Sequence, residues 1–556
     1  MSSLPLPGAP DAQAQAYPVL TDAQVNRVRP LGTVRRVAKD EILFDVGDTN
    51  VPCFVVLSGH VEIVQPDLTG ERTITTYGPG QFTGEMTLIS GHAALARARV
   101  TEPGEVLEVC GDDVRSLVAT DAQLSEILMR AFILRRQLLI SRGQGNVIVL
   151  GSRHSANTLR LREFLTRNDH PYTYVDLDAD ASAQAFLDRF QVTPDEIPVL
   201  ICNARSVLRN PSIQELADCL GLNRTMNDAE VRDLIIVGAG PAGLAAAVYA
   251  ASEGLNVLVI EAAAPGGQAG SSSKIENYLG FPTGVSGQEL ADLAIAQAEK
   301  FGASFVVAHA AKLLDCGRHP YAVVLDNDTS LSARAVIIAT GAQYNKPALA
   351  GLEQFEGQGI YYAATHMESQ LCEQEEVIVV GGGNSAGQAA VFLSQTARRV
   401  HILVRSGRLA DTMSRYLVQR IEKNPAIDLH YHTEMVGLAG GTHLERVTWL
   451  DTSTGETSEH AIRHVFIMAG ASPRTDWLQG CIALDDKGFI LTGRDVETPT
   501  ATPASAPPRA AHMLETSRPR VFAVGDIRSG SVKRVASAVG EGAIAIHLVH
   551  RALAEA

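Results

Sequence analysis

The sequence predicts a mainly α/β protein whose long C-terminal part is built on parallel sheets and whose N-terminal part includes a small β-rich region. Three observations support this fold class. Apolar strands alternate with helical segments from about residue 146 onwards, aromatic residues make up only 5% of the 556 residues, and 48 glycines supply turns. Parallel sheets are filled by aliphatic side chains, and their tight turns need glycine. At roughly 150 residues per domain, the length gives about four domains.

The β-rich region covers residues 20–120, where short alternating apolar runs are broken by Gly, Pro and Asp. This pattern predicts a small β-barrel or β-roll, preceded by a tail at 1–19. From Leu124 to Ile140 apolar residues recur at helical spacing. We therefore expect a helix that packs either on the barrel or on a partner subunit.

A small α/β domain is predicted at 146–222, where strand and helix signals alternate. Its helices are expected from Ser155 to Asn168 and near 181–190. After a polar break, a much longer α/β region begins at Asp233. The Pro- and Ala-rich stretch at 497–511 lacks periodicity and is predicted to be an exposed loop.

Charge and cysteine content restrict the function. A net charge of −15 argues against nucleic-acid or anionic-membrane partners, because phosphates would be repelled over most of the surface. No apolar run is long enough for a membrane span and the start lacks signal-peptide features, so we expect a cytoplasmic protein. The seven cysteines stand singly, with no CxxC, which predicts neither a metal site nor a disulfide framework.

A dinucleotide fingerprint lies at the start of the long region. The apolar run DLIIV is followed by Gly238-x-Gly240-x-x-Gly243, an Ala-rich helix beginning with Pro241 and Ala242, and a second strand that ends at Glu261. The glycines allow a tight turn, close approach of a pyrophosphate and close helix packing, and the helix N-terminus favours negative charge. A carboxylate at the position of Glu261 can accept hydrogen bonds from ribose hydroxyls. The first Rossmann-like unit is therefore predicted here.

A second copy of the fingerprint starts at EEVIVV and indicates a second dinucleotide. Its three positions are Gly381, Gly383 and Ala386, with Asn384 and Ser385 at the helix start. Arg405 stands where the first copy has an acid, and together with Arg408 it favours the 2′-phosphate of NADP(H). A solvated surface arginine is the alternative interpretation.

Residues 230–556 resemble the low-molecular-weight thioredoxin reductases, two-dinucleotide flavoproteins. The resemblance rests on PGGQ (265–268), IENYLGFP (275–282), IIATGA (337–342) and VFAVGD (521–526). It implies an FAD-binding domain at 230–345 and 469–556, an NAD(P)H-binding domain at 346–468, and a homodimer. It further implies that FAD contacts Gly267, Gln268, Asn277, Thr340, Gly341, Gly525 and Asp526.

Two departures from this group matter. Its reactive cysteines lie in a Cys-Ala-Thr-Cys segment, where this chain has Ala363 and His366. Cys372 follows nearby and is interpreted as structural, the alternative being a redox role. Lys533 and Arg534 replace an Arg-Gln pair near the flavin pyrimidine, where a guanidinium would stabilise reduced flavin. Pairing of Arg534 with an acid at the domain junction is the other interpretation.

Residues 20–143 resemble a cyclic-nucleotide-binding domain, chiefly in GHVEIVQ and GPGQFTGEMTLISG. The resemblance places Glu85 on a ribose, but Ala94 and Leu95 occupy the positions of the phosphate arginine and its small neighbour. Arg97 and Arg99 could substitute only in a rebuilt loop. Docking or regulation is therefore favoured over cyclic-nucleotide binding, and weak or altered binding stays open.

Residues 146–222 resemble a glutaredoxin-like thioredoxin fold, with the Ile-Pro step at Pro198 typical of a cis-proline loop. Ser155 and Thr158 stand at the helix start where a CxxC would be, and we interpret them as helix N-caps.

Three functions are consistent with these patterns. The first is an oxidoreductase that passes electrons from NADPH through FAD to a quinone, an iron-sulfur protein, dioxygen or a partner's disulfide. The second is a thioredoxin-disulfide reductase acting without its own CxxC. The third is a redox-sensing signalling protein. The electron acceptor and any catalytic side chain are left open by the sequence.

Overall fold

The computed structural model describes residues 10–67, 70–142, 146–153, 155–178, 193, 196–202, 206–223, 230–272, 274–364, 366–410, 412–468, 470–478, 480–496 and 510–555. The helix predicted near 181–190 and nearly all of the Pro- and Ala-rich stretch lie outside these residues. Among the described helices, none has both the length and the apolar character needed to cross a membrane.

The N-terminal region is an antiparallel β-roll, as predicted. Its strands are β1 (Gly32–Val37), β2 (Ile42–Phe44), β3 (Cys53–Asp67), β4 (Gly70–Tyr77) and β5 (Arg97–Val109). The sheet order is β1-β5-β3-β4, with β2 also paired to β5. Alternation along β5 sends Ala98 and Val100 into the core and leaves Arg97 and Arg99 on the outer face, as period-2 patterning requires.

Five helices surround the roll: α1 (Pro10–Ala16), α2 (Asp22–Val28), α3 (Met86–Ser90), α4 (Gly111–Thr120) and α5 (Ala122–Ser141). Asp121 caps α5 by accepting hydrogen bonds from the backbone N–H groups of Gln123 and Leu124. The helix predicted from residue 124 is therefore present. It packs on the roll, because Phe132 contacts Phe82 edge to face at a centroid distance of 6.0 Å.

The small α/β unit contains a four-stranded sheet. Its elements are β6 (Val147–Gly151), α6 (Ala156–Arg167), β7 (Tyr172–Asp176), β8 (Val199–Cys202), β9 (Ser206–Arg209) and α7 (Ile213–Leu220). The strand order is β7-β6-β8-β9, with β6 and β7 parallel and the other pairs antiparallel. The Ile197–Pro198 peptide is cis. Ser155 caps α6 by accepting a hydrogen bond from the Thr158 N–H at 3.4 Å, as predicted. The predicted N-cap role of Thr158 is wrong, because this residue lies inside α6 and its Oγ1 is buried without a hydrogen-bond partner.

The first large sheet follows the first fingerprint and has the order β12-β11-β10-β15-β14-β13, with β26 beside β15. Its strands are β10 (Val231–Val237), β11 (Val257–Glu261), β12 (Ser304–Val307), β13 (Ala311–Asp315), β14 (Tyr321–Leu325), β15 (Ser330–Ile338) and β26 (Val521–Ala523). Its helices are α8 (Pro241–Ser252), α9 (Gly267–Gly270), α10 (Gly287–Lys300) and α14 (Val535–Ala554). β12, β11, β10, β15 and β26 run parallel, so their carboxyl ends meet at one edge.

The second large sheet is parallel throughout, with the order β17-β24-β18-β19-β20. Its strands are β17 (Ile360–Tyr361), β18 (Glu376–Val380), β19 (Arg399–Val404), β20 (Ile427–Tyr431) and β24 (His464–Ile467), and its helices are α11 (His366–Leu371), α12 (Asn384–Leu393) and α13 (Arg415–Lys423). A three-stranded antiparallel sheet covers it, formed by β21 (Thr433–Gly440), β22 (Leu444–Asp451) and β23 (Thr457–His460).

Two chain crossings connect the large units. They pair with one another as β16 (Ala342–Tyr344) and β25 (Ala471–Pro473), an antiparallel two-stranded ribbon. The second unit is thus inserted between β15 and β26 of the first. This arrangement places the two fingerprints on separate sheets joined by a narrow connection.

Candidate functional site

The first fingerprint forms a tight turn between β10 and α8 that only glycine fits. Gly238 has φ +105°, and a Cβ there would lie 2.4 Å from the Ala339 carbonyl oxygen. A Cβ on Gly243 would lie 1.9 Å from the Gly238 oxygen. Gly240, the N-cap of α8, is different, since the nearest atom to its Cβ position is the Gly267 Cα at 3.9 Å. The helix N-terminus therefore faces open space, as an anion site requires.

Glu261 lies beside this turn, at the end of β11. Its Oε2 accepts a hydrogen bond from the Ala239 N–H at 2.8 Å, and its Oε1 accepts one from the Ala263 N–H at 3.0 Å. Burial raises its pKa, against the effect of these two donors and of the Arg167 charge. Glu261, the residue predicted to bind the ribose hydroxyls, is thus held beside the glycine turn of the first fingerprint.

The segment after Glu261 approaches the same turn. Gly267 has φ +55°, and a Cβ on it would lie 3.0 Å from the Gly240 Cα, so two backbones meet here with no side chain between them. Gln268 donates a hydrogen bond from Nε2 to the Ala342 oxygen. Thr340 follows β15, and its Oγ1 is buried without a hydrogen-bond partner. Gly341 has φ +63° and turns the chain out of the sheet.

Gly525 and Asp526 complete this edge after β26. The Gly525 N–H donates to Glu541 Oε2 at 2.7 Å, and a Cβ on Gly525 would lie 3.0 Å from the Ala242 Cβ. Burial raises the pKa of Asp526, and the nearby charge of Lys533 opposes that change. Open glycine backbones, a hydroxyl without a protein partner and two carboxylates meet at one edge, and this set fits an FAD.

Three predicted residues lie at the periphery. Asn277 is exposed in the loop before α10. Lys533 and Arg534 are also exposed, and Arg534 Nη1 donates to Ser414 Oγ of the second unit at 3.3 Å. The observed partner of Arg534 at this junction is therefore a hydroxyl group. One of the two interpretations from the sequence had expected an acidic side chain there.

The second fingerprint repeats the arrangement of the first. Gly381 has φ +143°, and a Cβ there would lie 2.5 Å from the Met468 oxygen. Gly383 caps α12 with nothing within 4 Å of its Cβ position, and Ala386 is fully buried. Asn384 Oδ1 accepts a hydrogen bond from the Ser414 N–H at 2.7 Å. The N-terminus of α12 is therefore open to an anionic ligand.

The remaining predicted residues of the second site flank this helix and the end of β19. Ser385 is half-buried at the start of α12. Arg405 and Arg408 follow β19, both are exposed, and neither forms an ion pair with another described residue.

The segment that replaces the dithiol lies against the first unit. Ala364 pairs with Ser272 in an isolated parallel bridge, and Ala363 is half-buried beside it. Cys372 is fully buried in the core of the second unit, its thiol donates to the Glu368 oxygen at 3.3 Å, and burial raises its pKa to about 12. A buried, protonated thiol fits the structural interpretation of Cys372.

The cysteine spacing predicted no disulfide framework, and this prediction is wrong for one pair. Cys316 and Cys481 form a disulfide across 165 residues of sequence, within the first large unit. Their distance in sequence explains the error, because no local spacing pattern indicates such a pair. Cys202 and Cys219 of the small α/β unit hydrogen-bond to each other, which raises the pKa of Cys202 and lowers that of Cys219.

In the cyclic-nucleotide cassette, the position expected for the phosphate-binding arginine is occupied by Ala94. Ala94 and Leu95 are buried, with 6% and 5% of their surface exposed. Arg97 pairs with Asp45 and Glu71, and Arg99 pairs with Glu62 and Glu71. Both candidate substitutes for the phosphate arginine are thus engaged on the outer face of the roll.

Glu85 of the same cassette points toward α5. Its Oε1 accepts from the Thr87 N–H at 3.1 Å, and its Oε2 lies 3.5 Å from Arg136 Nη1.

One residue that contacts the first site escaped prediction. Arg167, in the last turn of α6, donates from Nη2 to the Ala264 oxygen at 3.3 Å and to the Gly267 oxygen at 3.1 Å. Its own carbonyl accepts a hydrogen bond from Gln288 Nε2 at 3.1 Å. No sequence motif surrounds Arg167, so only the packing of the small α/β unit on the first large unit reveals this contact.

Comparison with known proteins defines the class. Residues 232–542, more than half of the chain, match the family of pyridine nucleotide-disulphide oxidoreductases, and residues 34–121 match the cyclic nucleotide-binding domain. The chain therefore belongs to the pyridine nucleotide-disulphide oxidoreductases and is a flavin-dependent oxidoreductase, with a cyclic nucleotide-binding domain at its N-terminal end.

Within this family the chain is similar to thioredoxin reductases, whose members use FAD and NADPH. It is 33% identical to the thioredoxin reductase of Bacillus subtilis (strain 168) over 331 residues, covering 59% of this chain and 97% of the relative. It is 34% identical to that of Treponema pallidum (strain Nichols), covering 57% and 95%. The Lactococcus lactis thioredoxin reductase structure in its FR conformation superposes with a TM-score of 0.52 at 27% identity, covering 58% of this chain and all of that one.

Proposed function

We propose that this protein transfers electrons from NADPH through FAD to an acceptor without an internal dithiol. The observation that carries the proposal is the segment at 363–366, where alanine and histidine replace the two reactive cysteines of the related group. Cys372, the cysteine closest to this segment in the sequence, is fully buried. Direct transfer to a quinone, an iron-sulfur protein, dioxygen or a partner's disulfide needs only the two nucleotide sites.

The first site would hold FAD through the residues gathered at the edge of its sheet. Gly238, Gly240 and Gly243 open the helix N-terminus, where backbone N–H groups and the dipole attract the pyrophosphate. Glu261 addresses the ribose, and Asp526 addresses the ribityl chain. Thr340 offers a buried hydroxyl that lacks a protein partner.

The second site would hold NADPH. Gly381, Gly383 and Ala386 repeat the cradle, and Arg405 with Arg408 supplies positive charge for the 2′-phosphate. With both nucleotides bound, the pair of sites would supply hydride transfer from NADPH to the flavin. The chain itself would contribute binding and positive charge, since Lys533 lies near Asp526, and Arg534, the N-cap residue of α14, contacts Ser414 of the second unit.

We further propose that the chain has four domains after a tail at 1–19, with the boundaries 20–143, 146–222, 230–345 with 469–556, and 346–468. The topology of the second domain supports a thioredoxin fold, since a parallel β6–β7 pair is extended by antiparallel β8 and β9. The domain has no CxxC, so its contribution is structural contact rather than dithiol chemistry.

An acceptor screen tests the proposal. We expect the purified, flavin-loaded protein to oxidise NADPH with an artificial quinone or dye, and Cys372→Ala to retain that activity. A generic bacterial thioredoxin should not be reduced. Thioredoxin turnover that disappears in Cys372→Ala would overturn the proposal and establish the disulfide reductase instead. Absence of NADPH turnover with every acceptor would favour the redox-sensing alternative.

A gain-of-function variant sharpens the test. Ala363→Cys combined with His366→Cys restores the spacing of the missing pair, so a disulfide acceptor should then be reduced. Ala363→Ser with His366→Ser is the matched control, because it changes the same positions without adding sulfur.

A further inference from the structure

The N-terminal β-roll encloses a cavity of about 180 Å³ that the proposed redox function does not use. Strands β2 to β4 and helices α3 to α5 surround it. Most of its wall is apolar, with Phe44, Ile63, Ile74, Leu88, Leu95 and Leu139 among the lining residues. An apolar cavity of about 150 Å³ is large enough for a benzene-sized molecule. The space therefore suits one ring with a short substituent.

The cavity cannot offer a cyclic phosphate its usual partner. Ala94 and Leu95 form part of the wall, whereas Arg97 and Arg99 do not border the cavity and are paired with carboxylates outside it. Arg115 does border it, but this side chain is paired with Asp112. The chemistry of this wall therefore fits a ligand other than a cyclic nucleotide.

Arg135 supplies a buried positive charge at this wall. It is 4% exposed, and it donates from Nε to the Ala16 oxygen at 2.7 Å and from Nη1 to the Gly84 oxygen at 2.6 Å. Its Nη2 is buried without a hydrogen-bond partner. The guanidinium lies within 6 Å of four aromatic rings, those of Tyr17, Tyr77, Phe82 and Phe132.

The charge of Arg135 is not neutralised by the protein. It forms no ion pair with a carboxylate among the described residues. Of the two acids on the same wall, Glu85 is paired with Arg136 and Asp112 with Arg115. A buried charge without a counter-charge is costly, and aromatic faces compensate only part of that cost. A ligand carboxylate would supply both the missing charge and an acceptor for the guanidinium.

We propose that this cavity is a binding site for a small aromatic monocarboxylate, whose ring lies against the apolar wall and whose carboxylate pairs with Arg135. The site is independent of the nucleotide sites. Its ligand class differs from cyclic nucleotides in both size and charge distribution.

Calorimetric titration of the full-length protein with phenylacetate tests the site. We expect saturable binding, at least tenfold weaker binding of the uncharged 2-phenylethanol, and no displacement of phenylacetate by cAMP. The tenfold difference corresponds to the loss of one hydrogen bond to a charged group. Failure of phenylacetate to bind at millimolar concentration, or equal affinity for the alcohol, would overturn the proposal.

Variants locate the binding. Ala96 borders the cavity, so Ala96→Phe should fill it and abolish phenylacetate binding while leaving Arg135 in place. Arg135→Gln should weaken binding at least tenfold, and Arg130→Gln on the same helix should not. Unchanged binding in Ala96→Phe would place the ligand elsewhere and refute the site, even if the Arg135 variant fails to fold.

Discussion

At the scale of single residues, the three glycines of the first fingerprint are needed for different reasons. Gly238 and Gly243 are needed by the fold itself, because a Cβ at either would collide with a carbonyl oxygen at 2.4 or 1.9 Å. Gly240 has room for a side chain within the protein and is needed only by a ligand that approaches the backbone. The two requirements can therefore be separated by mutation.

We expect Gly240→Val to fold but to lose FAD, because the added methyl groups would occupy the space in front of α8. Absorbance of the purified protein measures bound flavin, and circular dichroism verifies the fold. Gly441→Val is the matched control, since that glycine has a free Cβ position on the surface of the second large unit. If the Gly240→Val protein is yellow and so retains flavin, the pyrophosphate does not bind at this turn.

Arg405 should determine the choice between NADPH and NADH. It is exposed and has no ion-pair partner among the described residues, so its charge is available to a 2′-phosphate. Arg405→Ala should reduce the preference for NADPH by about ten- to a hundredfold, the value of a hydrogen bond to a charged group. Stopped-flow bleaching of the flavin measures this preference. Arg446→Ala removes a surface arginine of the same unit and should leave it unchanged.

Residue types at fixed spacing explain why much of both sites could be predicted. Gly238 to Gly243 and Gly381 to Ala386 each lie in a local strand-turn-helix segment, so the fingerprint and the geometry coincide. The partner of Arg534 could not be predicted in this way. Its neighbour Ser414 belongs to another unit, and no local sequence pattern encodes the relative position of two units. The same reason explains the missed pairing of Cys316 with Cys481.

At the scale of secondary-structure elements, α6 connects two units that the sequence describes separately. The alternating strand and helix signals predicted a helix from Ser155 to Asn168, and Ser155 is its N-cap. Arg167 near its C-terminal end has no such signal, yet it donates to the carbonyl oxygens of Ala264 and Gly267 in the segment beside the first fingerprint. The small α/β unit thereby braces a segment that FAD would contact.

We expect Arg167→Met to weaken FAD binding about tenfold, because two hydrogen bonds from a charged donor to the segment at 264–267 are lost. Fluorescence titration of the flavin-free protein with FAD measures the dissociation constant. Arg160→Met is the control on the same helix, since within the described part of the chain Arg160 donates a hydrogen bond to the Pro211 oxygen of its own unit. Equal FAD affinity in both variants would contradict a bracing role.

At the scale of the whole molecule, three units meet at one buried arginine. Arg136 of α5 is 7% exposed and lies between Glu85 of the roll at 3.5 Å and Asp169 of the small α/β unit at 3.4 Å. Burial acts to lower its pKa, and the charges of Glu85, Asp169 and two acids of the first large unit, Glu299 and Asp292, more than compensate. The adjacent Arg135 faces the cavity of the roll. Two consecutive residues of α5 therefore face different places: Arg135 lines the cavity, and Arg136 lies where the three units meet.

We expect Arg136→Met to destabilise the docking of the N-terminal roll by about 3 kcal/mol or more, because removal of one partner leaves buried carboxylates without a counter-charge. The methionine keeps most of the side-chain volume, so the effect reports charge rather than a cavity. Amide hydrogen exchange of α5, α6 and α10 should increase together, because Arg136 lies on α5, Asp169 follows the end of α6 by two residues, and Asp292 and Glu299 lie on α10.

FAD binding distinguishes a local defect from coupling between units. Asp169 lies two residues beyond Arg167, so release of Asp169 should loosen the brace on the segment at 264–267 and weaken FAD binding, although less than Arg167→Met does. Arg130→Met, on the same helix with an exposed partner at Glu126, should change neither exchange nor FAD affinity. Increased exchange confined to α5, with FAD affinity equal to the wild type, would show that the roll is docked without influence on the flavin site.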